Sequence, residues 1–104
     1  MEVSISTKTE GRFFAKGENN NLNVAVWFVF HGYGMRADEF INEFDGIDDG
    51  QTLIIAPEGL HRFYLKGIKG KIGASWMTSD LREFDIANNI TFLETSIRIL
   101  EIDT

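Results

Sequence analysis

The sequence predicts an α/β fold made of an N-terminal antiparallel hairpin, a parallel βαβ unit and a long C-terminal helix. Residues 24–30 and 52–56 are apolar runs, rich in β-branched side chains and without polar alternation, as in strands covered on both faces of a parallel sheet. A glycine-rich turn and a short stretch with apolar residues at helical spacing lie between them, which completes a βαβ unit. Residues 80–100 place apolar side chains every three or four positions, the strongest helical pattern in the chain.

The remaining segments are predicted from weaker signals. Residues 2–8 alternate polar and apolar side chains, and a turn follows before residues 12–16, which together predict the N-terminal hairpin. Residues 58–79 show no clear period and are predicted to be irregular. Asp80 and Glu83 have the spacing of a helix N-cap and its capping-box partner. At 104 residues, the chain is expected to be one small domain, 1–104.

Composition excludes several classes of function. A formal net charge of −6 argues against a nucleic-acid-binding protein, which needs a clustered basic surface. The absence of cysteine excludes disulfides and thiolate metal sites, and no motif predicts a metal or another cofactor. The first residues lack the basic stretch and apolar core of a signal peptide, so none is expected there, and no apolar run approaches the ~20 residues of a membrane span. A cytoplasmic location is therefore expected.

The most informative motif directly follows the first buried strand. It consists of His31, Gly32, Tyr33 and Gly34. Its glycines allow the backbone to turn sharply and to point N–H groups into the crevice at the carboxyl end of the sheet, where open α/β sheets bind ligands. On its own, such a tetrapeptide is more often a plain turn from strand to helix, so its context decides its meaning.

Two further motifs follow the tetrapeptide in an informative order. They are Ala56-Pro57-Glu58-Gly59 and Gly73-Ala74-Ser75-Trp76-Met77, and a long helix comes after them. Together the three motifs resemble the esterase/phospholipase (carboxylesterase-like) branch of the α/β-hydrolases, over residues 24 to 100. The resemblance implies that the Tyr33 backbone N–H is an oxyanion-hole donor, held by the turn at Gly32 and Gly34 and supported by His31. It leaves open whether Trp76 and Met77 line an acyl pocket or belong to the core.

The family's catalytic triad is not expected within these residues. Its members carry the nucleophile on a G-x-S-x-G elbow after the next strand, with the acid and the histidine further on. Ser75 comes nearest to such an elbow, but Met77 replaces the last glycine, so a loop hydrogen bond is its expected role. Neither His31 nor His61 is expected to be a triad base.

The chain is therefore expected to be the N-terminal portion of an α/β-hydrolase domain, with a truncated sheet that ends before the nucleophile strand. Completed by the missing portion, it would act on a small carboxylic ester or thioester, and alone it is expected to be inactive. In the family, the strand of residues 24–30 lies between that of residues 53–56 and the next strand. Without that neighbour it becomes an apolar edge, which predicts that the chain alone is aggregation-prone, partly folded, or paired through this edge with another chain, as in self-association.

A second hypothesis is a non-catalytic α/β binding module that holds a nucleotide or another anion at the turn of Gly32 and Gly34. The spacing of Gly32, Gly34 and Ala37 formally matches the G-x-G-x-x-G/A dinucleotide fingerprint after a strand. Glu58, just beyond the second buried strand, would then contact the ribose.

Overall fold

In a computed structural model, the described residues of the chain form a three-stranded sheet, a separate two-stranded hairpin and two α-helices. The structure describes residues 1–17, 25–47, 50–67, 69–78 and 80–103. The elements are, in chain order, β1 (Phe13–Lys16), β2 (Ala25–Phe28), α1 (Ala37–Phe40) with a following 3-10 turn (Ile41–Phe44), β3 (Thr52–Pro57), β4 (His61–Lys66), β5 (Lys69–Ser75) and α2 (Arg82–Asp103). This mixture of helix and strand is the predicted α/β class.

The sheet has the strand order β1-β3-β2. β3 is parallel to β2 and antiparallel to β1, so the segment from β2 through α1 to β3 is the predicted parallel βαβ unit. Because β3 lies in the centre and is covered on both faces, its residues from Leu53 to Pro57 are all buried. On one face, Ile54 and Ala56 pack against Ala37 and Ile41 and form the core.

The predicted N-terminal hairpin is wrong. β1 forms close to the expected position, but it pairs with β3, and residues 1–12 contain no strand. Residues 2–7 instead line a cavity with Leu81 and Phe84, beside α2. Val3 and Ile5 remain exposed, because alternation produces a strand only where a partner and a buried face are available.

The prediction of an irregular segment over residues 58–79 is also wrong, because β4 and β5 form an antiparallel hairpin there. Gly67, just after β4, and Gly70, the second residue of β5, have φ values of 77° and 96°, which glycine adopts without strain and which accompany the reversal of the chain. The hairpin was hidden in the sequence because Tyr64, Leu65 and Ile72 are exposed. A strand pair with little burial lacks the apolar periodicity that identifies strands.

The long C-terminal helix is present as α2, which begins at Arg82. Leu81 precedes it in the left-handed conformation, with φ of 53°, so Asp80 is not the N-cap residue. The helix buries the polar side chains of Asp85 and Ser96 and leaves Ile90 and Ile97 exposed. No helix in the described part of the chain is both long and apolar enough to cross a membrane.

β2 lies at the edge of the three-stranded sheet in the described part of the chain. The prediction that this strand is covered on both faces is wrong, since Val26 and Trp27 are 49% and 47% exposed; Val24, its predicted first residue, lies outside the described residues. Ala25 N–H and Val29 N–H donate to carbonyls beside or within β3. Because hydrogen-bonding edges alternate along a strand, the N–H groups of Val26 and Phe28 point away from β3.

Candidate functional site

The tetrapeptide turn after β2 is hydrogen-bonded to the end of the β4–β5 hairpin. Gly34 N–H donates to Ala74 O at 2.9 Å, and Ala74 N–H donates to Met35 O at 3.0 Å. The approach requires glycine at position 73, where an added Cβ would lie 2.3 Å from Gly34 O. The first and third sequence motifs therefore meet in space.

The His31 side chain joins the turn to the second motif. The buried imidazole accepts a hydrogen bond at Nε2 from Gly59 N–H, at 2.9 Å. Because Nε2 is an acceptor, the proton of the neutral ring lies on Nδ1, which donates to Gly32 O at 2.7 Å. The hydrogen-bond partners thus fix the tautomer of His31, and the ring links two loops as a neutral group.

The contact between His31 and Gly32 fixes a particular peptide plane. Gly32 C=O and Tyr33 N–H belong to the same planar peptide unit and point in opposite directions. The ring that holds the carbonyl therefore also sets the direction of the Tyr33 N–H. No described residue accepts a hydrogen bond from this N–H, and the Tyr33 side chain is 79% exposed, with its ring 5.3 Å from that of Phe63.

The Trp76 side chain packs against the tetrapeptide turn. Its indole N–H donates to His31 O at 3.1 Å, and its ring is stacked on the imidazole with a centroid distance of 5.1 Å. Phe30 meets the same indole edge-on at 5.6 Å. Trp76 is half-buried and lies at the turn, whereas the Met77 side chain is exposed.

Ser75 and His61 lie opposite each other at the open end of the hairpin. Ser75 makes the loop hydrogen bond that was predicted, because its Oγ–H donates to Met77 O at 2.9 Å. His61 Nε2 contacts Asp85 Oδ1 at 2.8 Å. No hydrogen bond joins the serine to the histidine, so these two described residues do not form a nucleophile–base pair.

Glu58 is a structural carboxylate beside the turn. Its side chain is 2% exposed and accepts hydrogen bonds from Arg12 Nε at 2.7 Å, from Arg12 Nη2 at 3.1 Å and from Ala37 N–H at 3.3 Å. Burial alone would raise the pKa of Glu58, but the hydrogen bonds from Arg12 and Ala37 outweigh it and lower the pKa. These contacts occupy both the carboxylate and the first helical N–H that a dinucleotide would need.

Sequence reasoning missed Arg12, Thr78 and Asp85 as partners of the three motifs. Thr78 and Asp85 hydrogen-bond to each other next to Trp76. Arg12 lies 46 residues from Glu58, so only the tertiary fold brings the two together. Asp85 gave one weak signal, since it is a charged residue on a helix whose other face carries isoleucines.

Comparison with protein-family models, with curated proteins and with solved structures found no match to this chain.

Proposed function

We propose that this chain supplies the oxyanion-hole part of a serine hydrolase that acts on carboxylic esters or thioesters, as an esterase or phospholipase does. The observation that carries the proposal is the Tyr33 N–H, which has no hydrogen-bond acceptor among the described residues and lies in a turn at the carboxyl end of β2. An oxyanion-hole donor has to be aimed before charge develops on the acyl oxygen. The hydrogen bonds of His31 to Gly32 and Gly59 provide that fixed aim.

The proposal places the nucleophile outside these 104 residues. A strand that pairs in parallel with the outer edge of β2, on the side away from β3, would end at the same side of the sheet as β2. The residue after such a strand would then lie near the Tyr33 N–H, which is where a serine attacking the acyl carbon has to be. The N–H groups of Val26 and Phe28, which point away from β3, are the groups that such a strand would bind.

Because the nucleophile lies elsewhere, the chain by itself is expected not to hydrolyse p-nitrophenyl butyrate above the rate of its Ser75→Ala variant. The measurement is the release of p-nitrophenolate by purified wild-type and variant chains at equal concentration. Hydrolysis that disappears in the Ser75→Ala variant would overturn this part of the proposal, because Ser75 would then be the nucleophile.

The oxyanion donor is tested by adding butyrate to the isotope-labelled chain and following its amide resonances by NMR. Butyrate carries a carboxylate next to a short acyl chain, so it offers a negative oxygen to the site. The Tyr33 amide is expected to shift downfield and to saturate, whereas the Gly34 amide, already bonded to Ala74, is expected to shift less. Neutral butyramide is the matched control and is expected to cause a much smaller shift.

A His31→Leu variant should lose the response to butyrate, because the Gly32–Tyr33 peptide is no longer held. His31→Asn keeps a donor for Gly32 O and is expected to retain part of the response. Titration with AMP tests the alternative of a nucleotide-binding module. Saturable binding of AMP without a response to butyrate, or no response of Tyr33 to butyrate, would contradict the hydrolase proposal.

We also propose that the isolated chain self-associates through the outer edge of β2. Val26 is half-exposed on this edge, and an unpaired apolar strand without charge recruits other strands. Val26→Lys is expected to raise the dissociation constant of self-association about tenfold, which corresponds to ~1.4 kcal/mol. The reason is that pairing would bury the lysine charge. Sedimentation velocity over a range of concentrations measures the effect.

The matched control for the edge is Val3→Lys, which makes the same change at an exposed position outside the sheet. It is expected to leave association unchanged. A wild-type chain that sediments as a monomer at every concentration would refute the proposed edge pairing.

A further inference from the structure

The backbone on both sides of Met77 is held by two side chains of α2. Asn89 Nδ2 donates to Trp76 O at 2.7 Å, and Thr78 N–H donates to Asp85 Oδ2 at 2.9 Å. These contacts come from the first two turns of α2, where the helix meets the end of the hairpin. They fix the segment from which the Trp76 indole projects.

Trp76 passes this restraint on to the tetrapeptide turn. Its indole N–H holds His31 O, and its ring covers one face of the imidazole. The other contacts of His31 hold Gly32 O, and with it the peptide that contains the Tyr33 N–H. A continuous series of hydrogen bonds and one ring contact therefore leads from α2 to the candidate oxyanion donor.

Asp85 accepts more hydrogen bonds than any other side chain in this series. Its carboxylate is 7% exposed and also accepts hydrogen bonds from His61 Nε2 at 2.8 Å and from Thr78 Oγ1 at 3.3 Å. The hydrogen bond from Thr78 N–H lowers the pKa of Asp85 most, burial opposes it, and His61 lowers it further. A buried anion with this many donors holds its surroundings more firmly than a neutral side chain does.

Four charged or titratable groups surround Asp85 on the elements near it. His61 faces it from β4, and Glu2 lines the same cavity from the N-terminal segment. Arg82 and Glu83 are its neighbours on α2. Of these groups, only His61 hydrogen-bonds to the Asp85 carboxylate in the described part of the chain.

We infer that Asp85 is a positioning residue that, through Thr78, holds the Trp76 indole against His31 and so helps to aim the Tyr33 N–H. Only the last step, from His31 to an oxyanion, rests on the proposed function. The position of Trp76 can be tested without it. The helix α2 thus takes part in the site although it lies outside the three sequence motifs.

The test measures hydrogen exchange of the two indole N–H groups in the full chain by NMR. In the wild type, the Trp76 N–H is expected to exchange at least about tenfold more slowly than that of Trp27, which is half-exposed. Asp85→Ala should remove most of this difference. Asp85→Asn, which keeps an oxygen acceptor for Thr78 N–H, should restore at least half of it.

The matched control is Glu83→Ala, which removes a carboxylate from the same turn of α2 at an exposed position. It is expected to leave Trp76 exchange within twofold of the wild type, and circular dichroism should show that α2 persists in every variant. Asn89→Ala, which removes the donor to Trp76 O, gives a second and independent test if Asp85→Ala fails to fold.

A pH series separates positioning by the carboxylate from a purely steric role. Since the pKa of Asp85 is lowered on folding, its contribution is present at neutral pH and is lost as the pH falls below about 4. Wild-type protection of Trp76 should decline there, whereas Asp85→Asn should show a smaller decline. Equal pH profiles, or unchanged Trp76 exchange in Asp85→Ala, would overturn the inference.

The same samples distinguish this inference from the proposed function. If Trp76 responds as expected but Tyr33 in the wild type does not respond to butyrate, the proposed function fails while the positioning of Trp76 stands. If butyrate binds and Asp85→Ala leaves both Trp76 exchange and the Tyr33 response unchanged, the role of Asp85 fails and the proposed function stands.

Discussion

Gly73→Ala is expected to destabilise the chain by about 3 kcal/mol or more, a loss that only a few kinds of substitution cause. The new Cβ would lie 2.3 Å from Gly34 O and 2.8 Å from Leu65 Cδ2. The leucine side chain can move, but the carbonyl oxygen belongs to the backbone of the turn. The hairpin would therefore have to withdraw, and the hydrogen bonds that Ala74 makes with Gly34 N–H and Met35 O would be lost.

Urea unfolding followed by circular dichroism, at concentrations where the chain is monomeric, measures this effect. Gly46→Ala is the matched control, because no atom lies within 4 Å of its added Cβ and its φ is not in the left-handed region. It is expected to change the free energy of unfolding by less than about 1 kcal/mol. A Gly73→Ala chain whose stability matches that of the control would show that the close approach of hairpin and turn is not needed.

Glu58→Ala is expected to have the second largest effect, a loss of about 2 kcal/mol. Removing the carboxylate leaves the buried Ala37 N–H without its acceptor, which costs ~1–3 kcal/mol. Loss of the Arg12–Glu58 ion pair adds little to this cost, because the Arg12 side chain is 42% exposed and is solvated by water when its partner is removed. Glu58→Gln keeps an oxygen for Ala37 and is expected to lose only about 1 kcal/mol, since a neutral acceptor binds more weakly.

The pH dependence gives the sign of the Glu58 contribution. Folding lowers the pKa of Glu58, so its stabilising effect is present above the pKa of the unfolded chain and is lost as the pH falls through the lower folded value. The stability difference between wild type and Glu58→Gln should therefore be largest near pH 7 and should shrink below about pH 4.3. Glu39→Ala, at an exposed position, is the control. A difference that stays constant with pH would contradict this account.

The elements that could be predicted are those whose buried side chains form a recognisable apolar pattern in the sequence. β3 lies in the centre of the sheet, and its continuous apolar run identified it. The N-terminal segment was wrongly assigned because Val3 and Ile5 alternate like a strand but bury no face. The β4–β5 hairpin was missed for the opposite reason, since it forms through backbone hydrogen bonds and glycine turns while many of its side chains stay in water.

For the candidate site, the sequence motifs located the turn but not what holds it. The glycines and His31 stood out because a strand ends there and a sharp turn follows. The bond from Gly59 N–H to His31 joins residues 28 apart, and the tautomer it requires depends on a partner that no local pattern reveals. Asp85 gave only a weak signal and Asn89 gave none, because their importance comes from the Thr78 amide and the Trp76 carbonyl, which only the folded chain brings to them.

The order β1-β3-β2 also has a consequence for how the sheet assembles. β3 is the last of the three strands to be synthesised, yet both of the others pair only with it in the described part of the chain. A nascent chain that has left the ribosome only as far as α1 therefore carries β1 and β2 before their partner strand β3 has been synthesised. The β1–β3 and β2–β3 pairings therefore form late and join residues far apart in the sequence. Folds that depend on such pairings fold more slowly than those built from local contacts.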